Sequence, residues 1–193
     1  MQGGTADGRM LGFYISTNPR PDDRAMQWSE LQQQDCSMAR SLAVIGDRWT
    51  LLILRECFLR VRRFDEYQAR LGIGRPILAD RLAKLVDHGV LAKTAYQRNP
   101  LRHEYRLTPM GLDLYPVVMA IVHWGDEHLG DEAGRPVIHH HLICGHDFDA
   151  TMVCSSCGEE LEARDVEVRP GRGRSGADLP DQRRQAMTPS ASR

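Results

Sequence analysis

The stretch from Phe64 to Gly89 constrains this chain more than any other. Leu78, Leu82 and Leu85 recur at helical spacing, and Pro76 lies where a helix begins, so its missing N–H costs nothing. Gly89 stands where that helix should stop. Upstream, Phe64 to Leu71 reads as a shorter helix, and Leu71-Gly72-Ile73-Gly74 as the turn between the two. Two short helices around a glycine turn, the second with a polar outer face, describe a helix-turn-helix. The second helix is the one expected to enter a DNA major groove.

The charge distribution agrees with that reading. A net charge of −1 hides a division: Cys36 to Leu107 carries 14 Lys/Arg against 7 Asp/Glu, or +7. Residues 1–35 carry −2 and residues 108–193 carry −6. Basic charge confined to one module is the footprint expected of phosphate binding. Arg60, Arg62 and Arg63 crowd the approach to the first helix, where it would cross the DNA backbone. On the second helix Pro76, Ala79, Asp80, Ala83 and Lys84 point away from the leucine stripe, with Arg75 and Arg81 at its borders. Arg75, in the first turn, suits a guanine edge. Arg81 and Lys84 suit phosphates, and Asp80 either reads a cytosine N4 or pairs with Lys84 four residues on.

The flanks complete a small domain. Asp35 or Ser37 can cap a helix running from Met38 to Gly46, and Arg48 to Leu59 follows with Trp49, Leu52, Ile53 and Cys57 turned to the core. Beyond Gly89, Val90 to Tyr96 and His103 to Leu107 are β-type, joined by the basic tip Gln97–Arg102. A two-stranded ribbon after a recognition helix is a wing, and Arg98 and Arg102 are placed to reach a phosphate or the minor groove. Thr108-Pro109 should cap a helix running through Leu112, Tyr115, Met119 and Val122 towards Leu129, kinked by Pro116. So long an apolar helix has little core to cover in its own chain, which implies a homodimer.

Cysteines form the second strong signal. An odd five, without a signal peptide's pattern, argue against a disulfide framework. His141-x-x-Cys144-Gly145 and Cys154-x-x-Cys157-Gly158 are two matching half-sites. Together they would make a closed Cys₃His site for structural zinc, which leaves no position for water. His139, His140 and His146 are rival ligands, and a Cys154/Cys157 dithiol pair or a metal-free hairpin are the alternatives. Cys36 lies at a helix start, where the dipole favours thiolate, and is a candidate redox sensor, although Asp35 opposes that.

The segment from Cys36 to Leu129 resembles the HxlR-type winged helix-turn-helix regulators. The matching phrases are CSMARSLAVIGDRWTLLILRE, RRFDEY, ILADRLAKLVDHGVL, HEYRLTPMG and the Trp124-Gly125 pair. The resemblance implies a bacterial dimeric transcription factor of MarR-like architecture that represses or activates nearby genes. Some members respond to electrophiles, aldehydes or oxidants, and Cys36 matches the position of the sensing cysteine in redox-responsive ones.

The expected architecture is mainly α with a small β-wing and a C-terminal β-ribbon. Residues 1–28 form a disordered extension, 29–130 the winged helix-turn-helix with dimerisation helices, 135–168 the zinc-ribbon-like module and 169–193 a disordered tail. Met26 is an alternative start. The expected function is a sequence-specific regulator, a repressor, binding double-stranded DNA at a pseudo-palindromic operator as a homodimer, with a small-molecule or redox effector. The competing reading is an interaction module that docks a transcription partner through wing and ribbon. An enzyme is disfavoured, since H-E-x-x-H, G-x-S-x-G and a Gly-rich phosphate loop are all missing from the sequence. With no apolar run long enough to span a bilayer, a cytoplasmic, nucleoid-associated protein without membrane contact is expected.

Overall fold

The computed structural model describes residues 32, 33 and 35–169. The expectations for residues 1–28, for the alternative start at Met26 and for the tail beyond Arg169 lie outside the described residues. From residue 35 on, the described residues form the helices α1 (Ser37–Ile45), α2 (Arg48–Phe58), α3 (Phe64–Leu71) and α4 (Arg75–Asp87). The hairpin β1 (Leu91–Arg98) and β2 (Leu101–Leu107) follows, then α5 (Pro109–Leu112) and α6 (Tyr115–His128). Two very short strands, β3 (His140–His141) and β4 (His146–Asp147), close the order. The chain is mainly helical with an antiparallel wing, as its pattern predicts.

Local chemistry explains the helix boundaries. Asp47 caps α2 by accepting from the N–H groups of Trp49 (3.0 Å) and Thr50 (3.3 Å). The Glu66 carboxylate in α3 reaches back to accept from the N–H groups of Arg62 (3.3 Å) and Arg63 (3.1 Å). Gly72 ends α3 at φ 62°, a conformation that would strain a side chain, and this sharp turn aims α4. The start of α1 departs from expectation. Cys36 itself takes the N-cap position, and no side chain caps the helix, neither that of Asp35 nor that of Ser37.

The core fixes the orientation of α4. Leu78, Leu82 and Leu85 are fully buried beside Ile53, Leu54, Tyr67, Ile73 and Leu91. At about 1.5–3 kcal/mol per buried leucine, this inner face cannot be exposed cheaply, so the outer face is held towards solvent. Trp49 is less enclosed than expected. It lies half-buried at the core margin, with the Arg48 guanidinium 5.6 Å from its ring centre. Cys57 packs against the core as expected, its sulfur 3.0 Å from the Tyr67 hydroxyl, and burial pushes its thiol up to about 11. Tyr67 donates to the carbonyl of Val61 at 2.8 Å. Glu56 is buried as well, its carboxylate held by Arg55 and Arg70.

The wing is longer and tighter than its sequence suggests. Its register runs from Leu91↔Leu107 to Arg98↔Leu101 with a bulge between Ala95 and Gln97, so only Asn99-Pro100 turns, rather than Gln97–Arg102. The approach to α3 joins its edge. The Tyr105 N–H donates to the Arg62 carbonyl at 2.8 Å, and Arg63 bridges to Glu104. The helix pair and the wing are thereby one backbone unit.

Pro116 breaks the last helix instead of kinking it. Proline has no N–H to offer the Leu112 carbonyl, so the chain stops α5 and restarts at Tyr115, with Pro116 in the first turn of α6. Thr108 caps α5 as expected, accepting from the Gly111 N–H (3.1 Å) and donating to the Gly89 carbonyl (2.6 Å). Gly111 is pressed against the preceding loop. A Cβ there would stand 2.2 Å from the Val90 carbonyl oxygen. The Phe58 and Tyr115 rings, 5.1 Å apart, then join α2 to the start of α6.

Candidate nucleic-acid interface

The second helix of the helix-turn-helix turns Pro76, Ala79, Asp80 and Ala83 fully outward, with Lys84 half-exposed beside them. A face of small side chains lets a helix approach base edges closely. Arg75 sits at its start, 66% exposed, with its guanidinium 5.0 Å from the centre of the Phe64 ring and 3.2 Å from Gln68 Oε1. Asp65 lies 3.8 Å from the same guanidinium. These contacts draw the Arg75 head over the first turns of α3 and leave it exposed.

Arg81 is placed differently from its neighbours. Its Nε lies 2.8 Å from Asp47 Oδ1, and it also pairs with Asp80. Both Arg81 and Asp47 are about three-quarters buried. The hydrogen bond from Arg81 holds the Asp47 carboxyl below its ordinary range. Arg81 therefore links α4 to the cap of α2. Asp80 pairs with its neighbour Arg81. Sequence reading missed this role for Asp47. A capping signature before an apolar helix was there to be found, but its partner 34 residues on was not.

The other candidate cations lie on the approach to α3 and on the wing. Arg98 and Arg102 are exposed on either side of the turn, opposite Leu101 and Gln97 respectively. Arg63 is exposed, with its guanidinium 4.7 Å from the centre of the Tyr96 ring on β1, and Arg62 is half-exposed beside it. The interface residues thus fall into three groups: the face of α4, the approach to α3 and the wing tip. Phosphate-binding cations beside a groove-reading helix are the arrangement used to fix register on a duplex.

Away from this surface, α1 and α6 carry bare apolar side chains. Met38 is 72% exposed, and Ile121 and Trp124 are about half-exposed on α6. Beyond α6, Arg135 pairs with both Glu127 and Asp149, joining the helix to the C-terminal module. There His141 Nδ1 lies 3.1 Å from Cys144 Sγ. The N–H groups of Cys157 and Ser156 aim at the Cys154 sulfur and hold its thiol below the ordinary value. His140 Nδ1 is occupied by Asp147 Oδ1 at 2.9 Å. Among the described residues, no three His, Cys, Asp or Glu side chains converge on one metal position. No described helix is long and apolar enough to cross a membrane.

Comparison with known proteins gives this geometry a family. The HxlR-like helix-turn-helix family matches residues 44–133. An uncharacterized HTH-type transcriptional regulator of Mycobacterium tuberculosis is 46% identical over 137 residues, 71% of this chain and 87% of that protein. Among solved structures, "Crystal Structure of PA1607, a Putative Transcription Factor" matches at TM-score 0.65 and 35% identity, over 72% of this chain and 98% of that one. A second, "Putative transcription factor (PA1374)" from Pseudomonas aeruginosa, matches at TM-score 0.52 and 34% identity, over 72% of this chain and 95% of that one. With the helix pair, the wing and this breadth of match, the chain belongs to the HxlR-like helix-turn-helix family and is a transcriptional regulator with a helix-turn-helix DNA-binding domain.

Proposed function

We propose that the chain is a homodimeric, sequence-specific repressor of a pseudo-palindromic operator, with α4 of each protomer in the major groove. The supporting observation is the two-sidedness of α4. Its leucine face is sealed in the core, while Pro76, Ala79, Asp80 and Ala83 are exposed, and Arg63 and the wing-tip arginines are exposed as well. Arg75 reads a guanine edge, Lys84 and Arg62 hold phosphates, and Arg98 and Arg102 reach across the neighbouring backbone. Arg81 acts indirectly, by holding α4 against the Asp47 cap.

The exposed apolar residues Met38 on α1 and Ile121 and Trp124 on α6 support the homodimer, as apolar surface that a partner copy could cover. A small-molecule effector or oxidation at Cys36, the N-cap of α1, then changes the distance between the two α4 helices. Such an effector must bind one spacing more tightly than the other to shift the equilibrium. A response to diamide that survives Cys36→Ser removes Cys36 from this scheme.

Fluorescence anisotropy with DNA from upstream of the gene tests the proposal. Specific, saturable binding is expected, with log affinity falling by about 0.9 per phosphate contact for each tenfold rise in salt. Equal affinity for the upstream fragment and for scrambled DNA contradicts it.

A further inference from the structure

The two half-sites of the C-terminal module are also a repeat in backbone structure. In the first turn the Phe148 N–H donates to the His139 carbonyl at 2.9 Å and the Gly145 N–H to the His141 carbonyl at 2.8 Å. In the second turn the Leu161 N–H donates to Met152 and the Gly158 N–H to Cys154, both at 2.8 Å. The pairing His140↔Asp147 is matched by Val153↔Glu160. Gly145 and Gly158 share left-handed backbones, at φ 71° and 79°. Every one of these features recurs after a shift of 13 residues.

Under that shift HHHLICGHDF lies over MVCSSCGEEL, and the only identities are Cys144 with Cys157 and Gly145 with Gly158. His141 falls on Cys154. The two turns therefore agree in these hydrogen bonds and in the left-handed glycine, and in side chain at one ligand position and at that glycine. A second observation is independent of the first. No residue from 131 to 169 is buried, and Leu142 and Ile143 are almost wholly exposed. Hydrophobic burial supplies almost nothing to hold such a segment, and small folds without a core are commonly stabilised by a metal.

We propose that His141, Cys144, Cys154 and Cys157 bind one structural zinc ion that clamps the two turns together. The first half-site is already drawn in, with His141 Nδ1 at 3.1 Å from Cys144 Sγ. The four ligands do not converge among the described residues, so the ion itself brings the second turn onto the first, and binding is coupled to folding of the module. Two thiolates plus a third thiolate and an imidazole fill a tetrahedron and leave no open position, which makes the role structural. The repeat also chooses among the histidines. His139 and His140 fall on Met152 and Val153, which cannot be ligands of the same kind, and His140 is bonded to Asp147. His146 falls on Glu159, outside the turn.

The test uses the untagged full chain, purified without chelator, with zinc measured by elemental analysis. After metal removal under reducing conditions, cobalt(II) is titrated in while thiolate-to-cobalt charge-transfer absorption is followed. About one zinc per chain and a thiolate-rich tetrahedral cobalt spectrum are expected. His141→Ala should weaken cobalt binding at least tenfold, whereas His140→Ala should leave it unchanged, and circular dichroism should show both variants with native helix content. Zinc well under one per chain together with no charge-transfer band overturns the proposal. A Cys154–Cys157 disulfide in the freshly isolated protein overturns it too. Loss of binding in His140→Ala but not in His141→Ala overturns the ligand set.

Discussion

At the scale of residues, two arginines of α4 divide the work of the helix. Arg75 stands at its exposed start, and Arg81 is drawn back to Asp47. Arg75→Ala should cost about 1–3 kcal/mol of operator affinity and relax preference at one base position, as read in a gel-shift series over single-base operator variants. An undiminished preference at every position would remove Arg75 from the interface. Asp47 belongs instead to stability. Asp47→Ala loses the cap on two N–H groups and the partner of Arg81, and should cost about 2 kcal/mol in urea unfolding. Asp47→Asn keeps a capping oxygen and should cost less than about 1 kcal/mol. The sign of the pH effect follows from the lowered carboxyl. Its contribution is complete above the unfolded value of 3.8 and is lost as pH falls below that through the folded value. The stability gap between wild type and Asp47→Asn should therefore be constant from pH 5 to 7 and shrink in stronger acid.

At the scale of elements, the joint between wing and α5 is the least forgiving point. Gly111→Ala forces a methyl against the Val90 carbonyl oxygen, a backbone atom that cannot swing away. It should destabilise the domain by roughly 1–3 kcal/mol, as measured by the thermal midpoint. A wild-type midpoint in that variant would mean that the joint is looser than drawn. The elements legible in the sequence were those with local causes. The leucine stripe, the glycine turn at Gly72 and the Thr108 cap each depend on residues within one or two turns, and each lies where its pattern puts it. The elements misread depend on partners far along the chain or on a single missing donor. Nothing local shows that the backbone at Arg63 bridges to that at Glu104, that Arg81 reaches Asp47, or that Glu56 is buried between two arginines. Pro116 was visible, but a proline there suits equally a kinked helix interior and the first turn of a new helix.

At the scale of the whole molecule, charge and exposed apolar surface are unevenly spread. The +7 segment carries α1 to α4 and the wing, whereas α6, with Ile121 and Trp124 exposed, leads into the acidic C-terminal portion. Placing a charge in the apolar face, as in Ile121→Glu with Trp124→Glu, should convert a dimer to a monomer in sedimentation velocity and lower operator affinity by orders of magnitude. Helix content should hold, because both side chains are half-exposed in the single chain. A variant that still sediments as a dimer would place the interface elsewhere. The central claim, that α4 and the wing together grip a duplex, is tested most directly by hydroxyl-radical footprinting on the operator fragment. Wild type should protect two patches about one helical turn, or a multiple of it, apart, and Arg98→Ala with Arg102→Ala should lose only the flanking protection. A single unpaired patch, or flanks that stay protected without the wing arginines, would contradict the account.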